Sequence, residues 1–267
     1  MKRIFLLWLG ICLACVIQAQ EVKRIVSLAP FITQNLYLLE ANKQIVGCTR
    51  FCMTRSEDRI AVVADALNAY VEKIVALQPD IVLAGGLTEP KVLDALERMG
   101  VKTKRLTSPR NFKEVCNQFL ELGELSGKQE RAQCIVKQSQ EALEALVKGR
   151  AGKPALKVFM EIGCNPLFTV LSDSFMQDYI ELAGGVNVAK QLDKAVVSKE
   201  FVLLQDPDVI FIVGMGIVGE EESENWKKIK SLRAVKNNKV FLLDSYVCSP
   251  TPMTFVDTVK KMIELMY

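Results

Sequence analysis

One phrase occurs twice in this chain, and it constrains the fold more than any other feature. Ile74 to Gly86 reads IVALQPDIVLAGG, and Phe201 to Gly214 reads FVLLQDPDVIFIVG. Each copy runs from an apolar helix end through Leu-Gln to Pro-Asp, then into a short apolar strand that ends at glycine. Pro79 and Pro207 lie 128 positions apart. A repeated helix–Pro-Asp–strand–Gly unit predicts two lobes on one plan, each delivering a glycine loop to the carboxyl end of a sheet. Two such lobes make a cleft, and clefts between domains are preferred ligand sites.

The segments around the phrase extend the pattern. Lys23 to Leu28 is a β-branched run stopped by Ala29-Pro30, and Phe31 to Glu40 has apolar residues at helical spacing. A short strand at Ile45 to Val46, a helix at Val71 to Leu77 and a strand at Asp80 to Leu83 follow. Pro90 suits a first helical position, the helix closes on Gly100, and Val101 to Leu106 is a further strand. This alternation predicts a parallel, helix-covered sheet. Asn111 to Lys148 is helical throughout, interrupted at Gly123 to Gly127. Its second piece, Lys128 to Lys148, spans roughly 30 Å at 1.5 Å per residue and reads as a helix between the lobes. The second half repeats the order: a strand at Leu156 to Ile162, a helix at Ser174 to Ala183, the echo, a helix from about Glu224 to Leu232, a strand at Lys239 to Leu243 and a closing helix at Asp257 to Met266. The expected fold is α/β: two Rossmann-like lobes, each a parallel sheet with helices on both faces, joined by one long helix. The expected divisions are 1–19 as a signal peptide, 20–126 and 151–267 as lobes, and 127–150 as the connecting helix.

Residues 1–19 set the compartment. Lys2 and Arg3 precede the apolar run Ile4 to Ile17, which is short for a bilayer span, and Ala19 ends it with the small residue a signal peptidase needs. Cleavage there predicts an exported, periplasmic protein. Leu13-Ala14-Cys15 offers the alternative of a lipoprotein anchored through Cys15. Without Lys2 and Arg3 the formal charge falls from +3 to +1, which argues against nucleic acid as a partner. The sequence has no histidine, which excludes His-based triads and imidazole metal sites. Six cysteines follow the leader: Cys48, Cys52, Cys116, Cys134, Cys164 and Cys248. Cys48 and Cys52 lack a matching second pair, so a zinc ribbon is not expected. Cys116 and Cys134 sit on two helical segments that could bring them face to face, with buried free thiols the expectation for most of the six.

Gly214 to Gly219 fits G-x-G-x-x-G after a strand, and Asp244 ends the next strand, which together mimic a dinucleotide site of an NAD-dependent enzyme. Glu220, Glu221 and Glu222 follow at once, where a pyrophosphate would bind, and the strand is not the first of its lobe. No nucleophile–base pair stands out: Ser172, Ser174 and Ser245 have no histidine to activate them, and no G-x-S-x-G elbow is present. Catalytic residues, metal ligands and cofactors are therefore expected to be absent. What remains are loops at strand carboxyl ends, the ligand side of such sheets, carrying Phe31, Phe51, Phe168 and Tyr246 with Arg50 as the main charge.

With RIVSLAP at 24–30, VGCTRFC at 46–52, VEKIVALQPDIVLAGG at 71–86, EIGCNPLFT at 161–169 and LLQDPDVIFI at 203–212, the chain resembles the exported substrate-binding proteins of ABC importers that have a long helical backbone between lobes. These carry vitamin B12, ferric siderophores or haem. The Gly-x-Asn-Pro-x-Phe-Thr phrase at 163–169 and Ala-Gly-Gly-x-Asn at 183–187 look most similar to the vitamin B12 binders. The resemblance implies a monomeric binder, with Pro30 and Phe31 on the cleft floor, flanked by Arg50 and Phe51. Gly86 and Leu87 would meet the ligand from the first lobe, and Asn165, Pro166 and Tyr246 from the second. It also implies docking on the importer permease through one acidic residue per lobe: Glu89 in the first, and one of Glu220, Glu221, Glu222 and Glu224 in the second, with Glu221 taken here. There are departures. Trp226 is the one tryptophan beyond the leader, where B12 binders stack the corrin on several. Pro250-Thr251-Pro252-Met253 replaces siderophore-type arginines, and Asp65 stands at the haem-binding tyrosine position. A corrinoid is the expected ligand, with a ferric siderophore as the alternative.

Overall fold

The β-branched run near the start becomes the centre of the first sheet. In a computed structural model, which describes residues 23–65, 68–214 and 218–267, β1 (Ile25–Ser27) is fully buried. It is followed by α1 (Pro30–Leu38), β2 (Ile45–Thr49), β3 (Ala61–Ala64), α2 (Val71–Ala76), β4 (Ile81–Ala84), α3 (Pro90–Arg98) and β5 (Thr103–Arg105). The strands pair in the order β3-β2-β1-β4-β5, every pair parallel. Then come α4 (Phe112–Leu125) and α5 (Gln129–Gly149). The second half supplies β6 (Leu156–Cys164), β7 (Leu167–Thr169), α6 (Phe175–Leu182), β8 (Gly185–Asn187), α7 (Lys199–Gln205), β9 (Val209–Val213), α8 (Val218–Lys227), α9 (Arg233–Lys236), β10 (Val240–Leu243) and α10 (Pro252–Met266). Its sheet runs β10-β9-β6-β7, with β8 also on β6. The expected α/β fold is present. One addition is that β7 runs antiparallel to β6 across a two-residue turn, Asn165-Pro166, whose peptide bond is cis.

The repeated phrase has a repeated physical job. In each copy the residue before proline, Gln78 or Asp206, turns the chain out of its helix with a left-handed φ of 46° or 43°. The aspartate after proline then clamps the neighbouring strand. Asp80 Oδ2 accepts from the Lys23 and Arg24 backbone N–H groups at 2.9 Å each, and Asp208 Oδ2 accepts from Lys157 N–H at 2.8 Å. The long cation at that strand start reaches back to the helix. Arg24 donates to the Leu77 and Gln78 carbonyls, and Lys157 Nζ to the Gln205 carbonyl at 3.2 Å. These carbonyls belong to helix ends whose C=O groups lack partners within the helix.

Alternation along the strands sorts three apolar layers, because successive side chains of a strand point to opposite faces. Val26, Val82 and Ala84 face α2 and α3 through Ile74, Leu93 and Leu96. Phe159, Ile210 and Ile212 face α7, α8 and α9 through Val202, Trp226 and Val235. The opposite faces, with Ile25, Ile81 and Leu83 from one sheet and Val158, Met160 and Phe211 from the other, join a single middle cluster with α1, α4, α5, α6 and α10. At its heart Phe255 of α10 meets Phe112 of α4 at 4.7 Å and Tyr179 of α6 at 4.4 Å between ring centroids. Asp178 of α6 accepts from the Phe112 N–H at 2.8 Å, capping α4 from across the middle layer. Gly123 lies inside α4 instead of breaking it. A Cβ there would come within 2.5 Å of the Ala132 Cβ, so its smallness lets α4 and α5 close.

Several boundaries differ from the sequence reading. Strand β2 runs on through Gly47 to Thr49, and a Cβ at Gly47 would lie 2.9 Å from Leu77 Cδ1, so this glycine admits α2 against the sheet. The helix expected from Glu224 starts at Val218 and ends at Lys227, with α9 separate. Helix α10 starts at Pro252, where Thr251 and Thr254 form a reciprocal capping box, five residues before the expected start. Strands β3, β7 and β8 went unread because they are short and flanked by no periodic pattern. Cys116 is buried while Cys134 is exposed, so the two do not face each other, and the six cysteines are free thiols. The signal peptide, Cys15 and residues 215–217 of the glycine motif lie outside the described residues.

Beneath the second sheet, Glu161 is 1% exposed, and its Oε2 accepts from Trp226 Nε1 at 2.6 Å. Burial pushes its carboxyl up to about 7; neighbouring Glu222 adds to the rise, and the Trp226 hydrogen bond and Lys199 oppose it. Two predictions follow from this architecture. Phe255→Ala should lower stability by about 3–5 kcal/mol, the scale for emptying a buried aromatic site, and urea unfolding would register it as a lower midpoint in both lobes at once. Because the folded pKa of Glu161 is raised, its stabilising contribution is complete below the unfolded value near 4.3 and is lost as pH rises through about 7. Relative to Glu161→Gln, the wild type should therefore lose on the order of 2 kcal/mol between about pH 5 and pH 8. Parallel stability–pH curves for the two proteins would contradict this linkage.

Candidate functional site

The parallel pairing puts the carboxyl ends of β1, β2 and β4 on one edge of the first sheet, and each end feeds a short loop. From β1 the chain turns at Ala29 into α1, whose first two residues are Pro30 and Phe31, both half-buried. Gly85, after β4, lies under this turn: a Cβ would meet Ala29 Cβ at 2.9 Å and the Phe31 ring at 3.2 Å. The loop Gly85 to Thr88 is pinned from β5. Arg105 donates to the Gly85, Gly86 and Thr88 carbonyls at 3.2, 3.3 and 2.7 Å, and Leu87 is held 99% exposed. From β2 come exposed Arg50, Phe51 at 56% exposed and Met53 at 59% exposed. Cys52, between them, turns inward and closes a turn by donating its N–H to the Thr49 carbonyl at 3.1 Å.

The second sheet presents its own edge in the same way. The hairpin Asn165-Pro166 is exposed at the end of β6. Phe168 packs back over Gly163, where a Cβ would lie 3.3 Å from its ring. After β10, Asp244 caps a single turn of 3₁₀-helix at Ser245–Cys248, accepting from Tyr246 N–H at 3.0 Å. This turn aims Tyr246 at the first lobe. Its hydroxyl lies 3.1 Å from the Met53 sulfur, 193 positions away in sequence. The two sets of strand-end loops therefore face one another, with Phe51 and Met53 on one side and Tyr246 on the other.

Most residues expected at the ligand side lie on these two edges: Pro30, Phe31, Arg50, Phe51, Gly86 and Leu87 on the first, Asn165, Pro166 and Tyr246 on the second. Met53 closes the loop 49–53 that the sequence already puts on the ligand side. Arg105 was not expected there, because it reads as an ordinary edge-strand cation until its three carbonyl partners are seen. Trp226 is fully buried against Phe159, with ring centroids 5.8 Å apart, and is not available to a ligand. Among the acids expected to dock, Glu89 is the exposed N-cap residue of α3, with Lys91 at 2.6 Å. Glu222 is buried and paired with Lys199 at 3.0 Å, and Glu224 pairs with Lys227 at 2.8 Å. Glu220 and Glu221 stand exposed in the first turn of α8, directly after Gly219.

Ser174 is spent as the N-cap of α6, and Ser245 lies beside Asp244. Among the described residues no group of three or more Cys, Asp or Glu side chains gathers to hold a metal ion, and no helix is long and apolar enough to cross a membrane. A groove of about 740 Å³ on α4 and α5 is lined by Gln118, Gln129, Gln133, Glu114, Glu121 and Glu124. It also takes in Thr107, just past β5, and no aromatic side chain lines it.

Comparison with known proteins places this geometry in a family. Residues 25–247 match the periplasmic binding protein family. An uncharacterised ABC transporter substrate-binding lipoprotein of Bacillus subtilis is 25% identical over 257 residues, covering 93% of this chain and 81% of its own. The vitamin B12-binding protein of Vibrio parahaemolyticus is 26% identical over 240 residues, covering 88% of this chain and 86% of its own. A solved structure of a periplasmic haem-binding protein from Vibrio cholerae shares the fold with a TM-score of 0.81 at 18% identity, over 91% of this chain and 98% of that one. These relatives are binding proteins, not enzymes, which removes the dinucleotide-enzyme reading of Gly214 to Gly219. With a match from β1 to the turn that carries Tyr246, this chain belongs to the periplasmic binding protein family.

Proposed function

We propose that this protein is exported to the periplasm, captures a corrinoid between its two sets of strand-end loops and delivers it to an ABC importer. The observation that carries the reading is the contact of the Tyr246 hydroxyl with the Met53 sulfur at 3.1 Å, which brings the strand-end loops of the two lobes together. A corrinoid is large, flat and mostly uncharged, so apolar and aromatic walls with a few polar groups suffice to hold it. An anionic ferric siderophore calls for several cations on these loops. Of the nearby arginines, Arg105 spends its donors on three backbone carbonyls and Arg55 sits over the Tyr37 ring at 5.6 Å, which leaves Arg50 as the cation at the rim. The relatedness to a vitamin B12-binding protein along most of the chain supports the same choice. Delivery would use Glu89 and the exposed pair Glu220 and Glu221, one acidic patch on each lobe.

Calorimetry of the purified protein with cyanocobalamin, haemin, and ferric catecholate and hydroxamate complexes tests the ligand. Micromolar or tighter binding is expected for cyanocobalamin. Tyr246→Ala or Phe51→Ala should each weaken it by about 1–3 kcal/mol, roughly 5- to 150-fold. Silence with cyanocobalamin beside tight binding of an iron complex would replace the corrinoid by that ligand. For delivery, reversing charge at Glu89, Glu220 and Glu221 together should slow uptake into vesicles carrying the importer and leave the calorimetric affinity unchanged, since rim charges act mainly on encounter and partner choice. Uptake at the wild-type rate would rule out these acids as the docking points.

A further inference from the structure

The loop after β2 carries Arg50, Phe51 and Met53 and then runs on as an arm, 54–59, whose residues are exposed apart from half-buried Asp58. The arm holds one turn of 3₁₀-helix, Ser56–Asp58, and leaves it through Arg59 at a left-handed φ of 49°. A segment that buries so little apolar surface opens at low cost unless polar contacts hold it. Here the contacts come from α1. The Tyr37 hydroxyl donates to Asp58 Oδ2 at 2.5 Å and accepts from the Arg55 N–H at 3.1 Å, so one oxygen gathers both ends of the turn. Asn42, just past α1, donates to Asp58 Oδ1 at 2.9 Å, and the Arg55 guanidinium lies over the Tyr37 ring at 5.6 Å. Burial pushes the Tyr37 phenol up to about 12, with the bond to Asp58 adding to the rise, and the same bond holds the Asp58 carboxyl down. Donor and acceptor therefore keep these forms through neutral pH.

We propose that Tyr37 and Asp58 are positioning residues of the ligand site: they latch the arm to α1 and so fix where Phe51 and Met53 stand opposite Tyr246. The base of the loop has its own ties, Arg50 N–H to the Ala64 carbonyl at 2.9 Å and Cys52 N–H to the Thr49 carbonyl at 3.1 Å. Phe51 and Met53 are exposed and sit between this base and the latch, so their position is set by the backbone on either side. The helix that holds the latch is the one whose first residues are Pro30 and Phe31, which ties one wall of the cleft to its floor. The role in binding rests on the proposed capture between the strand-end loops; the latch itself does not.

Timed trypsin digestion read by mass spectrometry tests the latch without a ligand, because Arg50, Arg55 and Arg59 are all cleavage points within the loop. Tyr37→Phe keeps the ring and its stack with Arg55 and removes both hydroxyl bonds. Cleavage after Arg55 and Arg59 should rise roughly 10- to 100-fold, the scale for losing a hydrogen bond to a charged group, since cutting tracks the population of the open segment. Cleavage after Arg50, beside Phe51, should rise with it, while cuts elsewhere and the urea midpoint stay near wild type. Asp58→Ala, a change at the surface, should behave alike, so the test does not hang on one variant folding. Wild-type cleavage at these three sites in both variants would overturn the latch. Calorimetry with cyanocobalamin then reads the positioning. Tyr37→Phe should weaken binding about 3- to 10-fold, because affinity falls with the fraction of molecules whose wall is in place. In a Phe51→Ala background the same change should cost less. Equal losses in the two backgrounds would overturn the positioning role. Silence of the wild type with cyanocobalamin would sink the corrinoid reading instead, and cleavage after Arg50 would still decide whether the latch holds the wall.

Discussion

The packing of Phe255 between Phe112 and Tyr179 holds the molecule in register. These three rings come from helices α10, α4 and α6, and α4 is the first element after the first sheet while α6 and α10 belong to the second half. Around them the inner faces of both sheets join one apolar cluster. The two sets of strand-end loops face each other because the sheets behind them share this layer. A connection of packed helices resists bending more than a Gly/Ser-rich linker, which behaves as a random coil. Under the proposed function, capture would rely on preformed walls and small side-chain adjustments.

The internal repeat is a repeat of hydrogen bonds as much as of sequence. In both halves a left-handed residue ends a helix, proline redirects the chain, and aspartate takes up backbone N–H groups of the neighbouring strand. The cation at the strand start completes the exchange by satisfying helix-end carbonyls, as Arg24 in one copy and Lys157 in the other. The second copy is braced further by Arg233, which pairs with Asp206 at 3.2 Å and Asp208 at 2.8 Å. Two halves that differ at most positions thus keep one way of joining a helix to a buried parallel strand.

At the cleft, the division of labour among charged groups is as informative as the aromatic rim. Arg105 is a positioning residue whose guanidinium fixes the glycine loop and so presents Leu87. Glu222 and Glu161 serve the interior of the second lobe, leaving Glu220, Glu221 and the Lys227-paired Glu224 as the acids that α8 offers to solvent. Tyr246 reaches across to Met53, so the cleft is lined by polarisable, uncharged groups where the two lobes come closest.

The α/β class, the pairing of halves and the order of the longer elements were legible in the sequence, because strand alternation, helix periodicity and Pro-Asp punctuation are local signals. The strand-end loops proposed as the site were legible for the same reason: carboxyl ends of parallel strands collect on one edge whatever their side chains. Tertiary structure alone decided the rest. Three strands, β3, β7 and β8, are defined by their hydrogen-bonded partners and carry no period of their own. Gly47 and Gly123 look like breakers, yet each sits inside an element because a neighbour, Leu77 or Ala132, occupies the space a Cβ would need. The contact of Tyr246 with Met53 joins loops 193 positions apart, which no local signal reports. Trp226 was claimed by Glu161 and Phe159 in the interior. Local chemistry sets what each segment can form, but which side chains are left for a ligand depends on what the rest of the fold has already buried.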